Sequence, residues 1–363
     1  MRGNQHLFPP AAWPLAARAP ESGTPWAWPP GEDALTQLLD QIGVGDAAHP
    51  APLRDGLVAV LNGLLGDHLQ RADHALATQM QLRRGGHRLN LPLGAGAWAE
   101  PPHQRVVLLV HDLCLDEHSW QRDGHDYAAQ LGSTLDASVL HLRYSSGLRI
   151  SANGALLNRL LAELHQAWPV PLRGIDIVGH GMGGLVARSA CAQAEGADEA
   201  WRRALRRLVF LGTPHHGLPL DHMRPWLRRV LGLRQASAPL ARLARLRSDG
   251  VADLRHGNLL AADWQPHDHF DTRDHRVPVP LPDGVECHAL AGCLPARVGR
   301  HGAPRQPGDG LVPVDSAMGR HANPARDLAL PERNCWVGED LHHLELLSHA
   351  RVYRRLLYAL SDA

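Results

Sequence analysis

Three segments of the chain carry side chains that could perform acid–base or nucleophilic chemistry. One is the glycine-rich turn over residues 179–184 (GHGMGG), which directly follows an apolar run. The others are an acidic loop around Asp309 and a histidine segment around His343. A carboxylate that orients an imidazole makes a general base, and a general base can activate a hydroxyl group or a water molecule. These side chains could act together only if the fold brings the three segments to one place.

The glycine-rich turn also satisfies the dinucleotide-binding pattern GxGxxG, with Gly179, Gly181 and Gly184. That pattern requires an acidic residue at the end of the next strand to hold a ribose. The next apolar run, Leu208–Leu211, continues into Gly-Thr-Pro without a carboxylate, and the turn lies in the middle of the chain. Dinucleotide binding is disfavoured, and no cofactor is expected.

The apolar run, turn and following helical segment resemble the GxSxG nucleophile elbow of α/β hydrolases. Gly179 and Gly183 match the small flanking residues, and Gly181 stands at the apex, where the family has its serine. Glycine tolerates the positive φ of the apex, so the turn should form without its attacking hydroxyl. The segment 211–217 (LGTPHHG) is similar to the LGTPHxG segment of lipases and of GPI inositol-deacylase-like hydrolases.

The acidic loop and the histidine segment extend this resemblance. It implies that Asp309 is the triad acid and His343 the triad base, after position 181, in the nucleophile, acid, base order of the fold. The similarity covers about 53–360 and is closest to bacterial esterase-like proteins grouped with the GPI inositol-deacylase α/β domain. It implies carboxylic-ester or lipid-like ligands.

The same resemblance implies an oxyanion hole built from the backbone N–H groups of Leu113 and Met182. Asp112 stands after His111, where the family typically has glycine. Turned inward at about 5 Å, its carboxylate would oppose an oxyanion by about 3 kcal/mol at an effective dielectric constant near 20; turned to solvent, it would cost nothing. The residues expected to form the walls of the site are His111, Asp112, His180, His215 and His216.

Buried strands alternating with helices must position these segments. Apolar runs at 106–110, 139–142, 175–178, 208–211 and 285–291, with a short one at 334–337, are typical of strands, and segments at 126–131, 151–168, 182–194 and 350–360 of helices. This alternation predicts an α/β fold with a doubly wound, mostly parallel sheet, the α/β-hydrolase fold. Residues 80–91 alternate across Gly85-Gly86 and predict a β-hairpin.

Three regions are predicted along the chain. Residues 1–31 form an irregular Pro/Trp-rich arm, and residues 32–79 an N-terminal helical extension with helices at 32–42 and 53–76. Residues 80–363 form the α/β-hydrolase domain. A helical cap insertion is expected at about 219–282, with helices at 225–233 and 239–247.

Composition excludes several other classes of protein. The net charge is zero with 20% charged residues, which gives no reason to expect nucleic-acid binding. The five cysteines are odd in number and form no CxxC pair, so neither a disulfide framework nor a zinc knuckle is predicted. The N-terminal stretch has no apolar signal region, and no run approaches the length of a membrane span, so we expect a cytoplasmic protein.

Two polar segments give weaker signals. Between His222 and Ser248 the cap carries seven arginines and no carboxylate, which could contact anionic lipid headgroups, although a solvated helix face is the plainer interpretation. A His/Asp cluster follows at His267, His269, Asp271, Asp274 and His275. It lacks the spacing of a metal site, and no metal is predicted.

Three functional hypotheses follow. Loss of a triad serine lowers kcat by about 10⁶, or about 8 kcal/mol, so a degenerate triad predicts a pseudoenzyme that keeps a ligand pocket. Alternatively, His343 oriented by Asp309 activates water directly, in the space vacated at Gly181. The third hypothesis is a non-catalytic partner-binding protein.

Overall fold

A mostly parallel sheet flanked by helices forms the centre of the molecule. A computed structural model describes residues 51–91, 101–195, 200–230, 248–265, 273–295 and 307–361. The described strands are β1 (Gln81–Arg84), β2 (His87–Arg88), β3 (Arg105–Val110), β4 (Gln121–Arg122), β5 (His125–Asp126), β6 (Ser138–Arg143), β7 (Gly174–His180), β8 (Leu205–Leu211), β9 (Glu286–Cys293) and β10 (Cys335–Glu339).

Eight of these strands form one sheet in the order β10-β9-β8-β7-β3-β6-β1-β2. The pairs from β10 to β6 are parallel, whereas β1 pairs antiparallel with β6 and with β2. The predicted doubly wound sheet of the α/β-hydrolase fold is thereby confirmed. The central strands β3, β7 and β8 are rich in Val, Ile and Leu and buried, as strands covered on both faces must be.

Helices cover the sheet and connect its parallel strands. The described α-helices are α1 (Ala51–Arg71), α2 (Tyr127–Leu135), α3 (Ile150–Ala167), α4 (Met182–Ala194), α5 (Ala200–Ala204), α6 (Met223–Val230), α7 (Asp249–Asp253), α8 (Val314–Ala317) and α9 (Ala350–Leu360). Among the described residues, no helix is both long enough and apolar enough to cross a membrane.

Helix α1 differs from its predicted extent. It ends at Arg71, whereas apolar spacing predicts a helix up to Leu76. Asp73 takes a left-handed φ of 47°, which ends the helix. The Asn62 amide then donates to the Leu76 carbonyl at 2.8 Å and accepts from the Thr78 N–H at 2.8 Å, so the chain folds back along α1.

Several predicted regions fall outside the described residues. These are the arm at 1–31, the first helix of the extension at 32–42 and the cap helix at 239–247. The predicted cap helix at 225–233 corresponds to α6, described as far as Val230. The division of the chain into arm, extension and hydrolase domain stays a prediction.

Candidate active site

The glycine-rich turn connects β7 to α4 as a sharp elbow. Gly181 lies at its apex with φ 51°, a conformation that favours glycine. A Cβ atom at Gly179 would overlap the backbone of Gly184, and one at Gly183 would overlap the carbonyl of Val110. The strand and helix approach each other this closely only because the flanking residues are glycines.

Asp112 lies beside this elbow because their strands are neighbours. Val110 on β3 is in register with Gly179 on β7, and Asp112 and Gly181 each follow two residues later. Since parallel strands end at the same edge of the sheet, the two residues meet there. The Asp112 side chain turns inward, and the residue is only 2% exposed. This excludes the solvent-facing alternative.

The Asp112 carboxylate fills the space that a serine at 181 would use. A Cβ atom at Gly181 would overlap the Asp112 carboxyl group. Its Oδ1 accepts the Met182 N–H at 2.6 Å, which is one of the two expected oxyanion-hole donors. Leu113, the other expected donor, is buried directly after Asp112. A single carboxylate thus fills the space of a serine side chain and binds one of the two expected oxyanion-hole donors.

The predicted acid and base meet in the fold. Asp309 follows β9, and its Oδ2 lies 2.6 Å from Nδ1 of His343, which follows β10. Oδ1 of Asp309 accepts the N–H groups of Leu311 and Val312, which fixes the carboxylate. On the other side of the ring, His343 Nε2 lies 3.1 Å from Asp112 Oδ2. The result is a buried Asp112–His343–Asp309 chain.

Both carboxylates stabilise a protonated His343. Burial by itself lowers the pKa of His343, but the charge of Asp309 and the hydrogen bonds to Asp112 and Asp309 outweigh it and raise this pKa to about 10. Burial raises the pKa of Asp112, but the hydrogen bond and charge of His343 reverse this and hold it below its ordinary value. At neutral pH, His343 is therefore an imidazolium ion bonded to the Asp112 carboxylate.

Two other histidines expected at the site contact these groups: His180 packs against His343, and His111 contacts the Asp112 loop. The His180 ring lies against the His343 ring with centroids 4.4 Å apart, and burial together with the His343 charge lowers its pKa to about 3. His111 is buried and stacks on Tyr144 at 4.3 Å, with Nδ1 2.9 Å from the Asp112 carbonyl. His111 thus holds the loop that bears Asp112, and His180 stays neutral.

Asp112, His180 and His343 form a possible metal-ligand set, with one ligand atom from each within 4.8 Å of the others. The His180 and His343 rings lie nearly face to face, tilted by 33°, so their in-plane lone pairs do not converge on one point. These residues therefore fit a metal poorly.

A cavity of about 340 Å³ opens beside His343, between α6 and the Asp309 loop. Its walls include Trp226, Leu294, Leu311, Val312 and Leu344, with Arg229 and His222 as polar members. The Trp226 ring meets His343 edge-on at 5.2 Å, and its indole N–H is buried without a hydrogen-bond partner. Sequence reasoning missed Trp226, because the spacing of the cap residues does not show which side of α6 faces the site.

His215 and His216, also expected as walls of this site, lie elsewhere. Both line a second cavity together with Arg188, Arg276 and Arg326. The reason is that the chain turns after Thr213: the His215 N–H donates to the Ser316 carbonyl, and the His216 N–H donates to the Ser316 hydroxyl. The His/Asp cluster at 267–275, for which no metal was predicted, is only partly described; within it, Asp274 pairs with Arg276 and Arg326.

Comparisons with known proteins agree with this architecture. Residues 151–278 match the family model described as a PGAP1-like alpha/beta domain. This segment contains the elbow and the LGTPHHG segment. No curated protein matches the chain by sequence.

One of the solved structures matched is a mature lipase from Bacillus licheniformis, which is 20% identical to this chain with a TM-score of 0.45. The match covers 73% of this chain and 93% of the lipase chain. A lipase-esterase related protein from Clostridium acetobutylicum is 11% identical, with a TM-score of 0.38. The match covers 71% of this chain and 95% of that protein's chain. A thermophilic esterase from Thermogutta terrifontis is 16% identical, with a TM-score of 0.37. The match covers 72% of this chain and 92% of the esterase chain.

Proposed function

We propose that this chain, an α/β hydrolase of the lipase and esterase branch, binds an ester-like or lipid-like ligand beside His343 and does not perform serine-type hydrolysis. One observation carries the proposal: the Asp112 carboxylate occupies the space of the serine side chain and binds the Met182 N–H. The elbow forms, but the Asp112 carboxylate blocks serine-type hydrolysis there.

Three steps of serine-type hydrolysis are obstructed together. The nucleophile is absent at Gly181. The Met182 N–H is already engaged by a negative charge, which repels the oxyanion that this donor would stabilise. His343 already holds the proton that a general base must accept. A protonated His343 cannot take a proton from water either, so direct activation of water by His343 is also disfavoured.

The cavity favours an amphiphilic ligand. Its apolar side chains suit an acyl chain, and Arg229 at its wall suits a carboxylate or a phosphate group. The unpartnered Trp226 indole N–H can donate to an ester carbonyl or a carboxylate oxygen. An ester or fatty acid offers both an apolar body and such an acceptor.

Two variants test the blocked chemistry. Gly181→Ser alone should stay inactive, because the new side chain overlaps Asp112. Asp112→Gly combined with Gly181→Ser restores the hydroxyl group, frees Met182 and removes the carboxylate that holds His343 protonated. We expect this double variant to hydrolyse p-nitrophenyl butyrate at least about 10³-fold faster than the wild type.

Asp112→Gly alone and the double variant with an added His343→Ala are the matched controls, and both should be inactive. Wild-type turnover of p-nitrophenyl esters equal to that of the double variant would contradict the proposal.

Ligand binding is tested separately by calorimetric titration with octanoate and with methyl octanoate. We expect binding by the wild type and at least about fivefold weaker binding by Trp226→Phe, which keeps the ring but removes the N–H donor. Tyr358→Phe, at an exposed position on α9, is the control. No binding by the wild type would refute a ligand pocket at His343.

A second candidate function uses Asp112 as a nucleophile. Its Oδ2 lies where a nucleophile would contact His343 Nε2. A carboxylate oxygen can attack a carbon that bears a leaving group; the leaving group departs with the bonding electrons, and an alkyl ester of Asp112 remains. This ester has no charge, so the pKa of His343 falls and the ring can release its proton to solvent. Neutral His343 can then take a proton from a water that attacks the ester carbonyl carbon; the alcohol leaves and the Asp112 carboxylate is regenerated.

Intact-protein mass spectrometry tests this candidate. His343→Gln incubated with 1-bromohexane should retain one hexyl adduct, since hydrolysis of the ester needs His343. The adduct should be absent in the double variant Asp112→Asn/His343→Gln. An unmodified His343→Gln protein would eliminate the candidate without affecting the proposed ligand pocket.

A further inference from the structure

The second cavity lies beside helix α4, the helix that follows the elbow. It has a volume of about 30 Å³, enough for a small occupant. Its walls come from α4, from the segment after β8 and from residues 276–279. Val277 at its rim is 47% exposed, so the cavity can be reached from solvent.

Arg188 on α4 contributes a buried positive charge to this cavity. The residue is 4% exposed, and within the described chain no carboxylate lies at ion-pair distance from its guanidinium. One terminal nitrogen donates to the Val279 carbonyl at 2.6 Å, and the other lies 3.3 Å from His215 Nδ1. Its Nε–H is buried and has no acceptor.

His215 adds a second unused donor. An arginine can only donate, so the contact with Arg188 makes His215 Nδ1 the acceptor and places the ring proton on Nε2. Burial and the Arg188 charge keep this ring neutral by lowering the pKa of His215 well below its ordinary value. Nε2 is buried without a partner.

The remaining charges around the cavity nearly cancel. Arg276 holds Asp274 with two hydrogen bonds of 2.9 Å, and Arg326 binds the same carboxylate. Asp263 also lines the cavity, but its oxygens accept three backbone N–H groups, those of Leu259, Leu260 and Val277. Three arginines thus face two carboxylates, and one positive charge remains.

We propose that this cavity binds a small anion, either a halide ion or the carboxylate group of a small acid. A buried guanidinium without a counter-charge is costly, and an unsatisfied buried donor adds to the cost. An anion at the Arg188 Nε–H would supply both the missing counter-charge and the missing acceptor. The volume suits a chloride ion or a single carboxylate group better than the larger sulfate ion. This inference is independent of the function proposed for the His343 site.

The test is the melting temperature of the full chain at constant ionic strength. Sodium gluconate is replaced stepwise by sodium chloride, by sodium formate or by sodium sulfate. We expect chloride or formate to raise the melting temperature with a saturable dependence, and sulfate to have no such effect. The anion with the lower midpoint identifies the source.

Arg188→Met is the diagnostic variant. It removes an uncompensated buried charge and keeps much of the side-chain volume, so it should fold and show at least tenfold weaker dependence on chloride or formate. Arg159→Met, at an exposed position on α3, should behave as the wild type. Equal anion responses in Arg188→Met and the wild type, or no saturable response in the wild type, would overturn the proposal.

Discussion

At the scale of the residue, Asp112 and Gly181 form one unit. The resemblance to α/β hydrolases implies glycine at the first position and serine at the second; this chain has a carboxylate at the first and glycine at the second. The Asp112 carboxylate fits only because Gly181 has no side chain, since a Cβ atom there would overlap it. In exchange, Asp112 satisfies Met182 N–H and His343 Nε2, which would otherwise be buried without partners.

The protonation of His343 tests this coupling. In the wild type, the side-chain nitrogen signals of His343 should show an imidazolium ion at pH 8, because its pKa is raised to about 10. Asp112→Asn removes one of the two stabilising charges, so this pKa should fall. Nitrogen-15 NMR, with His343→Gln for assignment, measures both. A neutral His343 at pH 8 in the wild type would contradict the ion pair.

At the scale of the element, helix α1 presses on the loop that carries Asp112. A Cβ atom at Gly63 would overlap the backbone and Sγ of Cys114, two residues after Asp112. The Ser248 hydroxyl donates to the Gly63 carbonyl at 2.7 Å, which adds a hydrogen bond at the same point of α1. The extension ahead of the sheet therefore helps to hold the site loop in place.

Gly63→Ala tests this packing. Alanine favours a helix over glycine, yet here the methyl group must displace the loop, so we expect the free energy of unfolding to fall by about 1–3 kcal/mol. Gly132→Ala on α2 is the matched control, since a Cβ atom there meets only ordinary contacts. Urea unfolding measures both, and a Gly63→Ala variant as stable as Gly132→Ala would show that the contact is loose.

At the scale of the whole molecule, buried histidines set the dependence of stability on pH. His343 is protonated in the folded state up to about pH 10 but only to about pH 6.5 in the unfolded chain, so its contribution is complete below pH 6.5 and is lost as the pH rises toward 10. Burial lowers the pKa values of His111, His180 and His215, so these rings are neutral in the folded protein. As the pH falls below 6.5 they take up protons in the unfolded chain first, and the free energy of unfolding decreases.

We therefore expect the free energy of unfolding to be greatest near pH 6.5 and to decrease on both sides. Urea unfolding between pH 5 and pH 9 measures this profile. In His343→Gln, the decrease from pH 6.5 to pH 9 should be much smaller, while the acid side should persist. An unchanged alkaline limb in that variant would assign the effect to other groups.

The sequence by itself determined the fold class and predicted a site formed by Gly181, Asp309 and His343. Alternation of buried runs with helices specifies a parallel sheet, because a strand covered on both faces must be apolar throughout. The order of the elbow, Asp309 and His343 then predicted which strand ends form the candidate site. The sequence did not determine where the helices end. Helix α1 ends at Arg71 because Asp73 adopts a left-handed conformation, which apolar spacing does not reveal.

Only the tertiary structure decided the direction of side chains. Whether Asp112 faced solvent or the elbow depended on the neighbouring strand: β3 lies beside β7 in register, so Asp112 meets Gly181. His215 was expected at the site and instead lies against Arg188, because the chain turns away after β8. Sequence spacing records which residues follow a strand, whereas contacts across the sheet edge fix what each of them touches and what charge it bears.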